Sequence, residues 1–326
     1  MKMYKLNYIQ YPNVEDINIS SQQALEALKN NDIVQDDIKK FKDKFAFKSI
    51  NSFSFSQDGF LSLFLNLNGK ILVSKGESQA IVDGALKYKD LGFDLDFIPL
   101  KKDGSIDFDE IKDCDYIFIS SYVMDTFVKT DLKKVKQLTN GKIVSNISAN
   151  LEYKDCDIAL MDAYKLTGYG FSSLILHNEV LKEQYLANFD TVAFYEIKKA
   201  IDRFKPYVGL KDRFYNVLLE EFKDDIYFFV DPSKTLEYTL HFGLKKIKAR
   251  EIIRTLALND IFLTNGEGCS LGLSKPSRIV QEMGYEEIKS RWALSLSFFQ
   301  EINEDEIKKI VKTISKKYRQ IRVLND

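Results

Sequence analysis

Histidine is almost missing from this chain: there are two in 326 residues, His177 and His241. Neither has a metal-type partner at helical or turn spacing, so zinc hydrolysis and Ser-His-Asp chemistry are poor candidates. Cysteine is scarce as well. The three, Cys114, Cys156 and Cys269, are far apart and odd in number, which argues against a disulfide framework and for a reducing compartment. An excess of one charge is also lacking. Lys+Arg 47 against Asp+Glu 48 leaves a net charge of -1, so there is no bulk electrostatic case for nucleic acid or an anionic membrane. The basic run 316–322 (KKYRQIR) reads as a solvated helix end. No apolar run approaches membrane-spanning length, and the opening MKMYKLNYIQYPN lacks the apolar core of a signal peptide. A soluble, cytoplasmic protein is expected.

What is present is a 45% hydrophobic content over a length that supports two lobes. No internal repeat or low-complexity linker interrupts it. From residue 70 apolar strands alternate with amphipathic helices: strands at 71–74, 94–100, 115–121, 142–146 and 157–162, helices at 78–92 and 131–141. Residues 103–111 read as a turn, a short strand and a helix start. This alternation implies a mostly parallel, buried sheet. The segment 194–222 is long, amphipathic and interrupted by Pro206 and Gly209, as a helix bridging two lobes would be. Beyond it come an alternating strand region (225–243), a helix at 248–260, a strand at 261–264 and a helix-strand-helix ending. We expect a large α/β domain over 1–192 and a smaller α+β domain over 193–326, with a ligand cleft between them.

Two stretches hold the chemistry. In 160–177 (LMDAYKLTGYGFSSLILH), Lys165 sits between apolar runs that read as buried strands. It is either a loop lysine or an amine held in a cleft, and the stretch alone leaves both readings open. In 260–292, a strand runs into the glycine-flanked Cys269, then a serine-rich loop, with Pro276-Ser277 opening a helix that Gly284 closes. By itself this places Cys269 on a loop leaving a strand, and a core or incidental cysteine fits it better than a functional one.

Taken together, 162–170 (DAYKLTGYG) and 260–292 resemble the cysteine desulfurase branch of the class V aminotransferases, which are fold-type I pyridoxal phosphate (PLP) enzymes. The resemblance spans most of residues 50–310 at low similarity. It implies that Lys165 holds the cofactor as an internal aldimine and later shuttles a proton, and that Cys269 is a sulfur-accepting nucleophile. It implies a small amino-acid substrate, a homodimer, and an acceptor or regulatory protein as partner. The family's positions fall on altered residues. Asn146 stands where an aspartate meets the pyridine nitrogen, and Ser78 where a histidine stacks on the ring. The family's asparagine falls near Val123 and its glutamine on Ala149. The phosphate cup corresponds to 56–59 (SQDG), with Ser56 and Gly59 at a helix start. Asp58 and Asp162 bring negative charge there, and Asp162 replaces a phosphate-bonding serine. The carboxylate-binding arginine lands on Ser295, with Arg291 four residues upstream. Glu267 beside Cys269 would raise the thiol pKa, and Lys275 is the nearest basic residue.

The expected function is therefore a diverged PLP-dependent, cysteine desulfurase-like transferase acting through Lys165 and Cys269. The alternative is a homologue that keeps the fold and has lost the chemistry, serving as a binding or regulatory partner. A third reading rebuilds the site for another ligand, with Asp58 and Asp162 receiving a cation or amine.

Overall fold

The computed structural model describes residues 2–9, 32–67, 69–178, 181, 189–267 and 275–325. Strand β1 (Tyr4–Lys5) precedes helix α1 (Asp32–Lys44), β2 (Ser49–Phe53), α2 (Gln57–Asn66), β3 (Ile71–Ser74) and α3 (Gln79–Asp90). Then come β4 (Leu95–Ile98), β5 (Tyr116–Phe118), α4 (Leu132–Leu138), β6 (Lys142–Asn146), β7 (Ile158–Met161), α5 (Ala163–Thr167) and β8 (Ser173–His177). The second half runs α6 (Thr191–Asp202), α7 (Leu210–Phe222), β9 (Ile226–Tyr227), β10 (Thr239–Leu244) and α8 (Ala249–Ala257). It ends with β11 (Ile261–Phe262), α9 (Arg278–Glu282), α10 (Glu287–Ser290), β12 (Ala293–Ser297) and α11 (Glu304–Asn325).

Seven strands make the central sheet, in the order β2-β8-β7-β6-β5-β3-β4. Strands β3 to β7 pair in parallel, and β8 is antiparallel to both β7 and β2. The apolar runs of β3, β7 and β8 explain their central placement, because every residue in them is buried on one face or the other. The reversal at β8 follows from its connection. Residues 162–172 hold one helical turn, less chain than a parallel crossover of a dozen or more residues needs. Gly168 closes that turn at φ 80.

Strand β2 runs the same way as β7, so β2, β3, β5, β6 and β7 all present their carboxyl ends at one edge. Strand β3 is followed in sequence by β4 on one side, while β5 lies on the other. Such a switch in strand order opens a crevice at the carboxyl edge. Helices α2 and α3 cover one face closely: a Cβ at Gly84 would lie 2.8 Å from the Cβ of Phe60.

The second half builds an antiparallel sheet of order β12-β10-β9, while β1 pairs in parallel with β11. Leu6 and Tyr4 are buried in the same apolar cluster as Phe214, Leu240, Leu296 and Ile310. The expected bridge at 194–222 is two helices, with residues 203–209 between α6 and α7. Pro206 disfavours helix at Lys205, and Gly209 takes φ 93 at the start of α7. The expected strand within 103–111 is a single bridge, Leu100 to Ile106, followed by a 3-10 turn at Phe108–Glu110. The expected division at 192–193 falls in the first turn of α6.

Candidate functional site

The loops at the carboxyl edge converge on Lys165. Asp162 follows β7 and caps α5, its Oδ1 accepting from the N–H of Tyr164 (2.9 Å) and of Lys165 (3.4 Å). Lys165 follows in that turn and is 7% exposed. Its Nζ lies 3.0 Å from Glu267 Oε1 and 2.9 Å from Met124 Sδ. Glu267 comes from the other half of the chain. Its Oε2 accepts from the N–H of Gln79 (2.8 Å), the first residue of α3, so a helix dipole also favours its charge. Burial alone would lower the Lys165 pKa, but Glu267, Tyr122 and Asp162 hold it well above the ordinary lysine value. Burial alone would raise Glu267; Lys165 and the Gln79 N–H hold it below the usual range instead. Lysine and glutamate are both fully charged at neutral pH.

Three more buried acids surround this pair. Glu77 follows β3 at the switch in strand order and accepts from Ser120, after β5, through N–H (2.5 Å) and Oγ (2.9 Å). Burial pushes its pKa up to about 7. Asp125 takes the N–H of Glu267 on Oδ1 (2.9 Å) and the Ser277 hydroxyl on Oδ2 (2.8 Å), and its carbonyl accepts from Ser295 Oγ (2.8 Å). Burial raises Asp125 to about 6, and likewise Asp162. Arg278 donates to the carbonyls of Lys75 (2.7 Å) and Glu77. Segments from both halves of the chain are thus fastened together around Lys165.

Of the residues read from the sequence, Lys165 is at the centre. Asn146 ends β6 and reaches the network through Ser148, whose Oγ accepts from Asp162 N–H: its Oδ1 accepts from Ser148 N–H (3.0 Å) and Oγ (2.6 Å), while its Nδ2 is buried without a partner. Ser78 caps α3, its Oγ also buried without a partner. Ser56 caps α2, accepting from Gly59 N–H (3.2 Å), and Asp58 is exposed on that first turn. A Cβ at Gly59 would meet the Ser54 carbonyl oxygen. Ser295, buried in β12, joins the network through Asp125 and through His241 Nδ1 (2.9 Å). Arg291 ends α10 and pairs with Glu287 four residues back, Nε to Oε1 3.0 Å, as a helix-end arginine does. Asp162 turns its Oδ1 to its own helix, which the Asp-before-helix pattern could have signalled. Cys269 lies outside the described residues.

Sequence reasoning missed Glu77, Tyr122, Asp125 and Arg278, and it read Glu267 only as a neighbour of Cys269. A signal existed for three of them. Glu77 lies in the loop after β3, and Tyr122 and Asp125 in the loop after β5, where this class of sheet gathers its polar site residues. Tyr122 is the most telling. Its hydroxyl is buried without a partner, in the field of Lys165, Glu77, Asp162 and Glu267.

The raised acids make stability fall with rising pH. Glu77, Asp125 and Asp162 titrate at about 7, 6 and 6 in the fold, against 4.5, 3.8 and 3.8 ordinarily. Each contribution is complete below the ordinary value and is lost as pH rises through the folded one. His241 opposes them. Burial lowers it from 6.5 to about 3, so its contribution is present above 6.5 and lost on acidification. Glu267, depressed, acts below this window. Three carboxyls outweigh one imidazole. We expect the urea midpoint to be higher at about pH 5.5 than at about pH 8. Glu77→Gln should flatten the upper part of that dependence, and a midpoint that climbs from 5.5 to 8 would contradict the assignment.

PLP attached to Lys165, as the sequence resemblance implies, requires an unprotonated amine. The ion pair with Glu267 keeps that amine protonated, and the acceptor oxygen of Asn146 is already taken by Ser148. The residues as placed do not fit the cofactor. Among the described residues, no group of three or more His, Cys, Asp and Glu side chains could hold a metal ion, and no helix is long and apolar enough to cross a membrane.

No family model matches the chain, and no curated protein matches it. Solved structures do. A NifS-like protein from Rickettsia africae aligns with a TM-score of 0.70 at 13% identity, over 98% of this chain and 100% of that one. SspA in complex with cysteine aligns with a TM-score of 0.68 at 12% identity, over 91% and 99%. The apo cysteine desulfurase from Thermococcus onnurineus gives 0.66 at 11%, over 94% and 87%. The chain therefore has the fold of the NifS-like and cysteine desulfurase structures, a fold-type I architecture on a mostly parallel seven-stranded sheet.

Proposed function

We propose that this chain is a cysteine desulfurase-like scaffold that works as a binding or regulatory partner and not as a PLP enzyme. One observation carries the reading: Lys165, at the position the resemblance gives to the cofactor lysine, is buried in an ion pair 3.0 Å from Glu267. An ammonium in that state is no nucleophile. Asn146 supports the same reading, since an amide cannot stabilise a pyridinium as a carboxylate does. Incubation with PLP, desalting and a visible spectrum test it, with Lys165→Ala in parallel. The expected result is colourless protein in both cases. A retained yellow band in the wild type that vanishes in Lys165→Ala would overturn the reading.

A second reading keeps a PLP enzyme acting on a small amino acid through Lys165, with Cys269 as sulfur acceptor. The buried, unpartnered Tyr122 hydroxyl, Asn146 Nδ2 and Ser78 Oγ favour it, because a bound ligand would satisfy polar atoms that are costly to leave unpaired. The same spectrum decides between the two.

A further inference from the structure

Among the described residues two lysines are buried, Lys165 and Lys211. Lys211 is 4% exposed in the first turn of α7, and its surroundings differ from those of Lys165. Its Nζ donates to the carbonyls of Pro232 (2.9 Å), Leu236 (3.2 Å) and Thr235 (3.3 Å) and to Thr235 Oγ1 (3.4 Å). The Glu237 carboxylate stands 3.9 Å away, exposed, and accepts from Lys129 at 2.9 Å. Carbonyl oxygens replace the water around a bound potassium ion in the same manner. Burial depresses the Lys211 pKa, so a charge here has a cost that an apolar residue would avoid, on a helix whose Leu210, Phe214 and Leu218 are core residues. Filling space does not account for the ammonium.

The oxygens around it belong to a stretch that joins the two halves of the chain. Asp231 caps the 3-10 turn Pro232–Lys234, and Thr235 Oγ1 donates to the Pro232 carbonyl (2.9 Å). The Lys234 carbonyl accepts from Lys129 N–H (2.8 Å), Leu236 N–H donates to the Phe127 carbonyl (3.0 Å), and Thr235 bridges to Val128. Residues 122–129 fold back on themselves, with Val123 N–H on the Val128 carbonyl (2.8 Å) and Tyr122 bridged to Lys129. That hairpin carries Tyr122, Met124 and Asp125 to the site. Asp125 and Phe127 hold φ 60 and 59, conformations that persist only where the surroundings impose them.

We infer that Lys211 is a positioning residue for the Lys165 site: its ammonium is the internal cation of a carbonyl cage, and the cage fixes the hairpin that presents Tyr122, Met124 and Asp125. Two ion pairs lie along the same seam, Lys234 with Asp103 and Lys129 with Glu237, each at 2.9 Å. Both are exposed and contribute little. Whether or not Lys165 carries a cofactor, this role of Lys211 is the same.

Amide hydrogen exchange on the full chain tests it, as wild type, Lys211→Met, Lys211→Ala and Leu218→Ala, the last a core truncation on the same helix. In Lys211→Met the amides of Lys129, Leu236 and Glu267 should exchange about tenfold or more faster than in wild type, as the loss of a hydrogen bond to a charged group produces. Those of β8 should change little, and Leu218→Ala should leave the ratio between the two sets unchanged. Propylammonium supplies the carbons and nitrogen that Lys211→Ala removes. It should slow the Glu267 amide of that variant by about tenfold or more. Propanol, of the same length and uncharged, and tetramethylammonium, charged and too large for the cage, should not. Exchange in Lys211→Met that rises only in step with β8 overturns the inference. So does the same selective rise in Leu218→Ala, or recovery with propanol equal to that with propylammonium, since Lys211 would then only fill space. Should Lys211→Ala not fold, its folding on addition of propylammonium and not of propanol supports the role, and Lys211→Met carries the exchange comparison.

Discussion

Replacing Lys165 with methionine is expected to destabilise the protein by about 3–5 kcal/mol, and adding Glu267→Met should return most of that loss. The single change removes the ammonium 3.0 Å from a carboxylate that is 16% exposed at its side chain. Gln79 N–H and the α3 dipole still hold Glu267 ionised, so protonation relieves little of the cost. The double change removes both charges and leaves apolar side chains beside Met124 and Tyr122, the kind of exchange that buried ion pairs often tolerate. Urea midpoints for the four proteins give the coupling free energy. A coupling near zero would mean that the two side chains do not stabilise one another, and the site would have to be redrawn. A lysine reserved for catalysis would behave otherwise, since its removal commonly leaves stability intact or improves it.

The next largest effect is expected from Asp125→Ala, about 3 kcal/mol. Two hydrogen bonds to a charged acceptor are lost, from Glu267 N–H and from Ser277 Oγ. Ser277 is also the cap of α9, accepting from Val280 N–H, so its hydroxyl loses its fixed direction. Asp125 holds φ 60, a conformation that Asp tolerates better than Ala. Gly266 shows how tightly the carboxylate is seated: at φ 101, a Cβ there would fall 2.3 Å from the Asp125 carboxyl carbon. Asp125→Asn keeps one acceptor and the backbone preference and should cost about 1 kcal/mol. Amide exchange at Glu267 reads the loss directly. Unchanged protection in Asp125→Ala would refute the role given to this residue.

The large sheet was legible because β3, β5 and β7 are short apolar runs, and their order in sequence nearly dictates a parallel ladder. Strand β2 was not: SINSF carries three polar residues in five and gains its place by pairing with β8. Lys165 could be singled out because an ammonium after a buried strand is unusual wherever it occurs. Its partner could not. Glu267 lies beyond the intervening lobe in sequence and looks like a loop acid beside a cysteine. Nothing local says that its carboxylate crosses to α5. The same holds for Arg278, which reads as a helix residue until its donors meet the carbonyls of Lys75 and Glu77. Pairwise charge contacts between distant segments are set by tertiary packing, and a single sequence contains no periodic trace of them. Arg291 shows the converse, a residue at a suggestive offset whose side chain pairs four residues back along its own helix.

Strand β1 sets the order in which the protein can be completed during synthesis. Tyr4 N–H bonds to the carbonyl of Asp260 and Leu6 N–H to that of Phe262, so this strand is bound by residues made long after it. Leu6 is fully buried there, packed in the apolar cluster with Leu240, Leu296 and Ile310. While the ribosome is still adding the segments between, this apolar stretch has no partner and must be kept from binding elsewhere. Closing so long a loop is also slow, since its entropy is lost before the contact repays it. The second lobe is thus a joint product of segments far apart in the chain, and among the described residues removal of β1 would take from β11 its strand partner.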